Sequence, residues 1–332
     1  MGEHTDQSNY GYTPSPSWAL AYIVLFSVSA AVHVVQAWRY KYWIIYPTLV
    51  LGALTEVLGW SARYWSSQNV TLLTPFLMQI STLIMAPVFF SAFDYVILGL
   101  AIKRLGPQYS VLRPNWYFFT FITADLISLI LQAVGGGQAS SSAAEGAPTQ
   151  SATNIMVAGI IFQLVAMATF MTLGADFIIR ATMRRPYKFQ ERWTHNRLMK
   201  KQQKRRDSEK TLTAVESDAT ATLTVGAAVI PKPADGAEAE EQKRHMDEEE
   251  ERAHLRAWWI MLIAVAISST MILIRGVYRS VELVQGWTGH LMETEMYQNI
   301  LDALMMLIAV GIYNFIHPGF LFPRKTSWKG YH

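Results

Sequence analysis

The chain of 332 residues contains no cysteine. This excludes a disulfide framework, thiolate zinc sites, iron–sulfur clusters and cysteine nucleophiles, so any loop in an oxidising compartment must be held by packing alone. Charge is also scarce. Only 16% of residues are charged against 51% hydrophobic, a balance too apolar for two soluble domains. About half of the charge sits in residues 181–256, which leaves the rest more apolar than a mean hydropathy of +0.17 suggests. No Lys or Arg precedes the first apolar run, and no secretory cleavage site follows it, so that run is expected to act as an uncleaved signal anchor. A phosphate loop is missing as well. The run Gly135-Gly136-Gly137 lacks a following Lys-Ser or Lys-Thr at the required spacing, and its expected role is a flexible helix stop.

Long apolar runs dominate what remains. A bilayer core about 30 Å thick takes about 20 mostly apolar helical residues, and seven segments qualify: 18–38, 43–65, 73–102, 116–134, 154–179, 257–283 and 297–317. The fold class is therefore an all-α integral membrane protein with seven transmembrane helices. Trp18, Trp43, Trp116 and the Trp258-Trp259 pair begin four of the segments, at the headgroup level where aromatic residues concentrate. Basic residues alternate between connections. Arg39 and Lys41, then Lys103, Arg104 and Arg113, then Arg180, Arg184, Arg185 and Lys188, and finally Arg324, Lys325 and Lys329 fall on one side. The other side has acids or no charge, which places the amino terminus outside and the carboxyl terminus in the cytosol. The expected organisation is an extracellular segment 1–17, helices one to five in 18–180, a cytosolic loop 181–256, helices six and seven in 257–317 and a cytosolic tail 318–332. Asn69-Val70-Thr71 is a glycosylation sequon on the outer side.

The long loop is split by sign. Arg180 to Arg206 holds eleven basic residues against Glu191 alone, and Asp235 to Glu251 holds nine acids against Lys243 and Arg244. Between them, Thr211 to Gly236 is rich in Ala, Thr and Pro, a composition expected to be disordered. The basic block 180–206 has two readings: topogenic charge, or contact with anionic lipid worth about 1 kcal/mol per basic residue. Under the second reading, phosphorylation of Ser208 after Arg205-Arg206-Asp207 would weaken that contact. The stretch from Glu248 to Trp259 is expected to extend the sixth helix.

Ionisable side chains at membrane depth are costly and mark functional sites. Glu56 and Arg63 are seven residues apart and share one face of the second helix; Asp125 and Gln132 repeat that spacing on the fourth. The sixth carries Arg275, Arg279 and Glu282, and the seventh carries Asp302. At about 1.5 Å per residue, all but the near-central Asp125 fall in the outer half. They are expected to line an outward-facing polar cavity in which four carboxylates face three arginines, the surplus one meeting a cationic amine or a proton. The structural alternative is an interhelical ion-pair network that only fixes the bundle. Asp94, His317 and Asp176 lie toward the cytosolic side. Pro87 is expected to kink the third helix, and Pro318 marks a second hinge or kink.

Six elements in order resemble the RTA-like family of fungal lipid-translocating exporters, over residues 18 to 323. They are Glu56-Val57-Leu58-Gly59-Trp60 with Arg63; Ala86-Pro87 with Tyr95; Asp125 with Gln132 and the glycine triplet; Arg275-Gly276-Val277-Tyr278-Arg279-Ser280-Val281-Glu282; Glu295 with Asp302; and His317-Pro318-Gly319. One departure is Leu98-Gly99-Leu100, where the family pattern ends in Leu-Gly-Arg. The resemblance implies a seven-span exporter or flippase of sphingoid-base-like or sterol-like amphiphiles in the plasma membrane, conferring resistance to toxic lipids without an ATPase of its own. Its partners are then membrane lipids or amphiphilic small molecules, with no nucleic acid and no cofactor. The main alternative is a seven-helix receptor or lipid sensor. That class commonly shows a loop disulfide, an acid-Arg-aromatic triplet in the third helix and an Asn-Pro-x-x-Tyr in the seventh, all lacking here. An intramembrane zinc hydrolase needs about three ligands, whereas only His33 and His317 lie in or at the edges of the spans. No metal or catalytic residue is expected.

Overall fold

Pro16 opens the first helix, in the turn where an amide donor has no helical acceptor to lose. The computed structural model describes residues 12–144, 147–189, 199, 203, 235–285 and 289–321, with side chains left out at 143–144 and 235–254. Helix α1 (Pro16–Tyr40) ends at Lys41, whose φ of 60° turns the chain so that the Tyr42 amide bonds the Ala37 carbonyl at 3.1 Å. A 3-10 turn (Trp43–Ile45) and a π-helical turn (Tyr46–Val50) lead into α2 (Leu51–Gln68). Then follow α3 (Leu73–Leu105), α4 (Pro114–Ala144), α5 (Gln150–Met183) and α6 (Asp235–Gln285). The seventh span begins at Glu295, passes through a π-helical turn (Gln298–Leu304) and continues as α7 (Met305–Phe315).

Among the described residues seven helical stretches are long and apolar enough to cross a bilayer, and each contains one of the expected segments. The chain is a multi-pass membrane protein. Two boundaries differ from expectation. The glycine triplet does not stop α4, which runs on to Ala144. A backbone in lipid must keep its hydrogen bonds inside the helix, and this outweighs a cost of about 1 kcal/mol per glycine. Helix α6 begins at Asp235, so the acidic run is helical and the last two residues of the stretch expected to be disordered belong to it. Pro87 lies inside α3, which is helical from Leu73 to Leu105.

Consecutive helices α1 to α5 pack on one another, α3 is the central element, and α6 joins α3, α5 and α7 before α7 returns to α1. Several helix pairs meet through glycine. A Cβ on Gly59 would lie 2.5 Å from Leu83 Cδ2, and one on Gly135 would lie 2.6 Å from the Met156 amide nitrogen. Small residues allow such approach where lipid removes the hydrophobic drive between helices. The outside is correspondingly apolar: Leu20, Val24, Val28 and Val35 are exposed along one face of α1. The start of α1, the end of α2 and the start of the seventh span converge on one end of the bundle, the amino-terminal face.

Candidate functional site

The polar residues gather in the half of the bundle nearest the amino-terminal face and are buried there. At the rim, Arg63 Nη1 donates to Gln298 Oε1 at 2.8 Å, and its Nη2 donates to Glu295 Oε1 at 2.9 Å and to the Tyr12 hydroxyl at 2.8 Å. The Ser15 amide also donates to Glu295 Oε1, at 2.9 Å. Burial holds the Tyr12 phenol above its ordinary pKa, an effect that Arg63 opposes, so Tyr12 accepts from the guanidinium as a neutral hydroxyl. The segment before α1 is thereby tied down across the ends of α2 and the seventh span.

Beneath the rim, α6 presents its charged stripe to the π-helical turn that carries Asp302. Arg275 Nε bonds Asp302 Oδ1; Arg279 Nη2 lies 2.6 Å from Asp302 Oδ2, and its Nη1 donates to Glu282 Oε2 at 2.6 Å. The Tyr278 hydroxyl donates to the other Glu282 oxygen at 2.7 Å. Two arginines thus meet two carboxylates, a balanced set, as burial of charge requires. Arg275 has a further partner. Its Nη2 donates to the Leu83 carbonyl at 2.6 Å, the carbonyl four residues before Pro87 that proline leaves without an amide donor.

Three buried carboxyls form no ion pair among the described residues. Glu56 receives only the Trp60 indole N–H, at 3.3 Å, and its Oε1 has no partner. It lies within electrostatic reach of Asp302, Arg275 and Arg279. Asp125 accepts from the Ser91 and Tyr95 hydroxyls at 2.8 and 2.9 Å, and its Oδ1 is likewise without a partner. Asp94, deeper toward the opposite face, accepts from Tyr313 at 2.5 Å and Ser269 at 2.8 Å. Asp125, Gln132, Gln163, Arg275 and Arg279 line one small cavity of about 30 Å³, space for a water or a group of similar size rather than for a whole amphiphile. Gln132 donates to Gln163 at 3.1 Å across it.

The geometry therefore differs from the expected open cavity of four carboxylates and three arginines. Arg63 turns to Glu295 at the rim, leaving Arg275 and Arg279 to Glu282 and Asp302, and the space beside these two arginines is only about 30 Å³. Glu295, Gln298, Tyr12, Ser91 and Gln163 complete the set without having been singled out as site residues. Glu295 stands at the head of its span, where its acid reads as loop polarity, and the others carry no charge to mark them. Asp176 accepts from Arg180 at 3.0 Å and Tyr187 at 2.9 Å near the far end of α5, away from the site. His33 bonds the Val310 carbonyl at 3.2 Å. At the end of the seventh span helical geometry stops at Ile316, and Pro318 opens a short turn whose Gly319 amide bonds His317 Nδ1 at 2.9 Å. Asn69 is exposed between α2 and α3. Ser208, most of the basic block 180–206 and the tail from 322 lie outside the described residues. Among those described, no three His, Asp or Glu side chains are grouped to hold a metal.

The profile of the family described as RTA1 like protein matches residues 49–325, which includes every element of this core except Tyr12 and Ser15. The chain is a member of the RTA1-like family. It is similar to the sphingoid long-chain base transporter RSB1 of Saccharomyces cerevisiae strain JAY291, at 31% identity over 96% of this chain and 75% of the relative. Protein RTA1 and Protein RTM1, both of Saccharomyces cerevisiae, are 22% identical over 92% of this chain and 83% and 89% of their own lengths. No solved structure matches.

Proposed function

We propose that this RTA1-like protein is a membrane lipid transporter. It moves amphiphiles of the sphingoid-base kind outward as an exporter or flippase without an ATPase, in the plasma membrane, with its amino terminus outside. The observation that carries this reading is the pair Glu56 and Asp125, two buried carboxyls in the polar core that, among the described residues, each keep one oxygen unbonded and have no cation of their own. A ligand amine supplies what they lack. A hydrogen bond to a charged group contributes about 1.5–3 kcal/mol, and a low local dielectric penalises ligands that leave the carboxyl unanswered. The similarity to a relative named for sphingoid long-chain bases supports the amine-bearing class. A sterol-like cargo brings no amine, and the same carboxyls select against it.

Because neither Glu56 nor Asp125 pairs with an arginine among the described residues, Glu56→Gln and Asp125→Asn remove an ionisable group without stranding a buried partner. Cells lacking the gene and supplied with either variant, at matched surface expression, are expected to grow at about one tenth of the sphingoid-base concentration tolerated with the parent chain. Equal tolerance for both variants would contradict the reading.

A further inference from the structure

A cleft of about 780 Å³ lies between α3, α4 and the start of α5 in the half of the bundle nearest the amino-terminal face. Its volume is within the range of about 300–1,000 Å³ typical of small-molecule sites. It runs along α3 from Leu73 to Met85, about 18 Å at 1.5 Å per residue, which matches the hydrocarbon depth of one leaflet of a core about 30 Å thick. The walls are apolar: Leu77, Ile80 and Met85 face Leu126 and Ile130. The hollow exists because α4 presents Ala133, Gly136 and Gly137 there; a Cβ on Gly137 would meet nothing within 4 Å, whereas one on Gly135 would strike α5. The glycine triplet thus packs on α5 with its first residue and leaves open space with its last.

Ile84 and Gln132 line both this cleft and the small polar cavity that contains Asp125. The two spaces are neighbours through that neck, one apolar and as long as a leaflet, the other small and bordered by Gln163, Arg275, Arg279 and Asp125 with its unbonded Oδ1. The geometry points to the cleft as the binding site for the single aliphatic chain of an amine-bearing amphiphile whose headgroup passes Gln132 to reach Asp125. This rests on the reading of the protein as a carrier of such lipids and adds where the chain sits. It also assigns a lateral opening: exposed Met85, Leu126 and Ile130 border the cleft, so a bound chain meets the membrane along one leaflet only.

The test uses the full chain in phosphatidylcholine nanodiscs with a sphingoid base carrying a diazirine midway along its chain, the cross-linked residues being mapped by mass spectrometry. Diacyl lipid is already in excess there, so labelling that saturates reports preference for the single-chain amine. The expected result is saturable labelling within Leu73–Met85 and Leu126–Ser140, reduced about tenfold by Gly137→Leu and by Ala133→Phe in protein that elutes and unfolds like the parent. Saturable labelling on other helices, or labelling that both filled variants retain, overturns the chain site. The transport reading survives that outcome if Asp125→Asn still abolishes efflux. Absence of any saturable labelling overturns the chain site too, and if Glu56→Gln and Asp125→Asn also export normally, the transport reading falls with it.

Discussion

Arg275 shows how one side chain answers two deficits. Pro87 removes the amide that the Leu83 carbonyl would accept from in α3, and the guanidinium of Arg275 supplies that bond at 2.6 Å while its Nε holds Asp302. Breaking a buried pair from one side costs about 3–5 kcal/mol, and a stranded carbonyl accounts for about 1–3 kcal/mol of such a loss. Arg275→Gln is therefore expected to lower thermal stability strongly, and adding Pro87→Ala, which restores the amide, should return about 1 kcal/mol or more. Unfolding of the four chains of that double-mutant cycle measures the coupling; strict additivity would contradict the assignment. The sequence shows that Pro87 and Arg275 sit at membrane depth, yet their meeting depends on how α6 is rotated against α3, and no periodicity in one chain records that angle. The same holds for Arg63. Its spacing from Glu56 places both on one face of α2, but a helix face seven residues long reaches different neighbours at its two ends, and Arg63 finds Glu295 at the rim.

At the scale of the element, span length is the most legible property, because a bilayer accepts only long apolar helices with their backbone bonds closed. Ends are less legible. Glycine reads as a helix stop by the rules of water, where an opened backbone is solvated, and the triplet in α4 lies where lipid offers no such solvation. Its three positions are not equivalent. A methyl at Gly135 would lie 2.6 Å from the Met156 amide nitrogen and 2.8 Å from the Ala152 carbonyl oxygen, whereas a methyl at Gly136 would stand 3.7 Å from Met156 Sδ. Gly135→Ala is expected to cost about 1–3 kcal/mol by overpacking, and Gly136→Ala to be neutral or to gain up to about 1 kcal/mol from helix propensity. Thermal unfolding of the two purified variants checks this; equal loss in both would show that the α4–α5 contact is not where the structure has it. At Pro87 the bond that proline removes inside α3 is supplied from α6 by Arg275.

For the whole molecule, charge asymmetry between loops specifies an orientation that helix packing does not. The absence of cysteine makes it directly measurable, because each introduced thiol is the sole target for a maleimide. Gln68 ends α2 at the amino-terminal face, and Arg104 is exposed near the opposite end of α3. Gln68→Cys is expected to react with a membrane-impermeant maleimide in intact cells and Arg104→Cys only after permeabilisation; the reverse pattern would place the amino terminus inside. That orientation would put Glu56 and the apolar cleft in the outer half of the membrane with Asp125 near its centre, nearer than Asp94 to where an exported lipid must be released. Family membership and the seven spans follow from residues quoted in order along the chain. The pairing scheme that leaves Glu56 and Asp125 without arginines follows only from the packed bundle. The measurement closest to the central claim is efflux of labelled sphingoid base from cells with and without the gene, beside Asp125→Asn at equal surface level. The account predicts gene-dependent efflux that falls about tenfold or more in the variant; gene-dependent efflux of equal rate in parent and Asp125→Asn would contradict it.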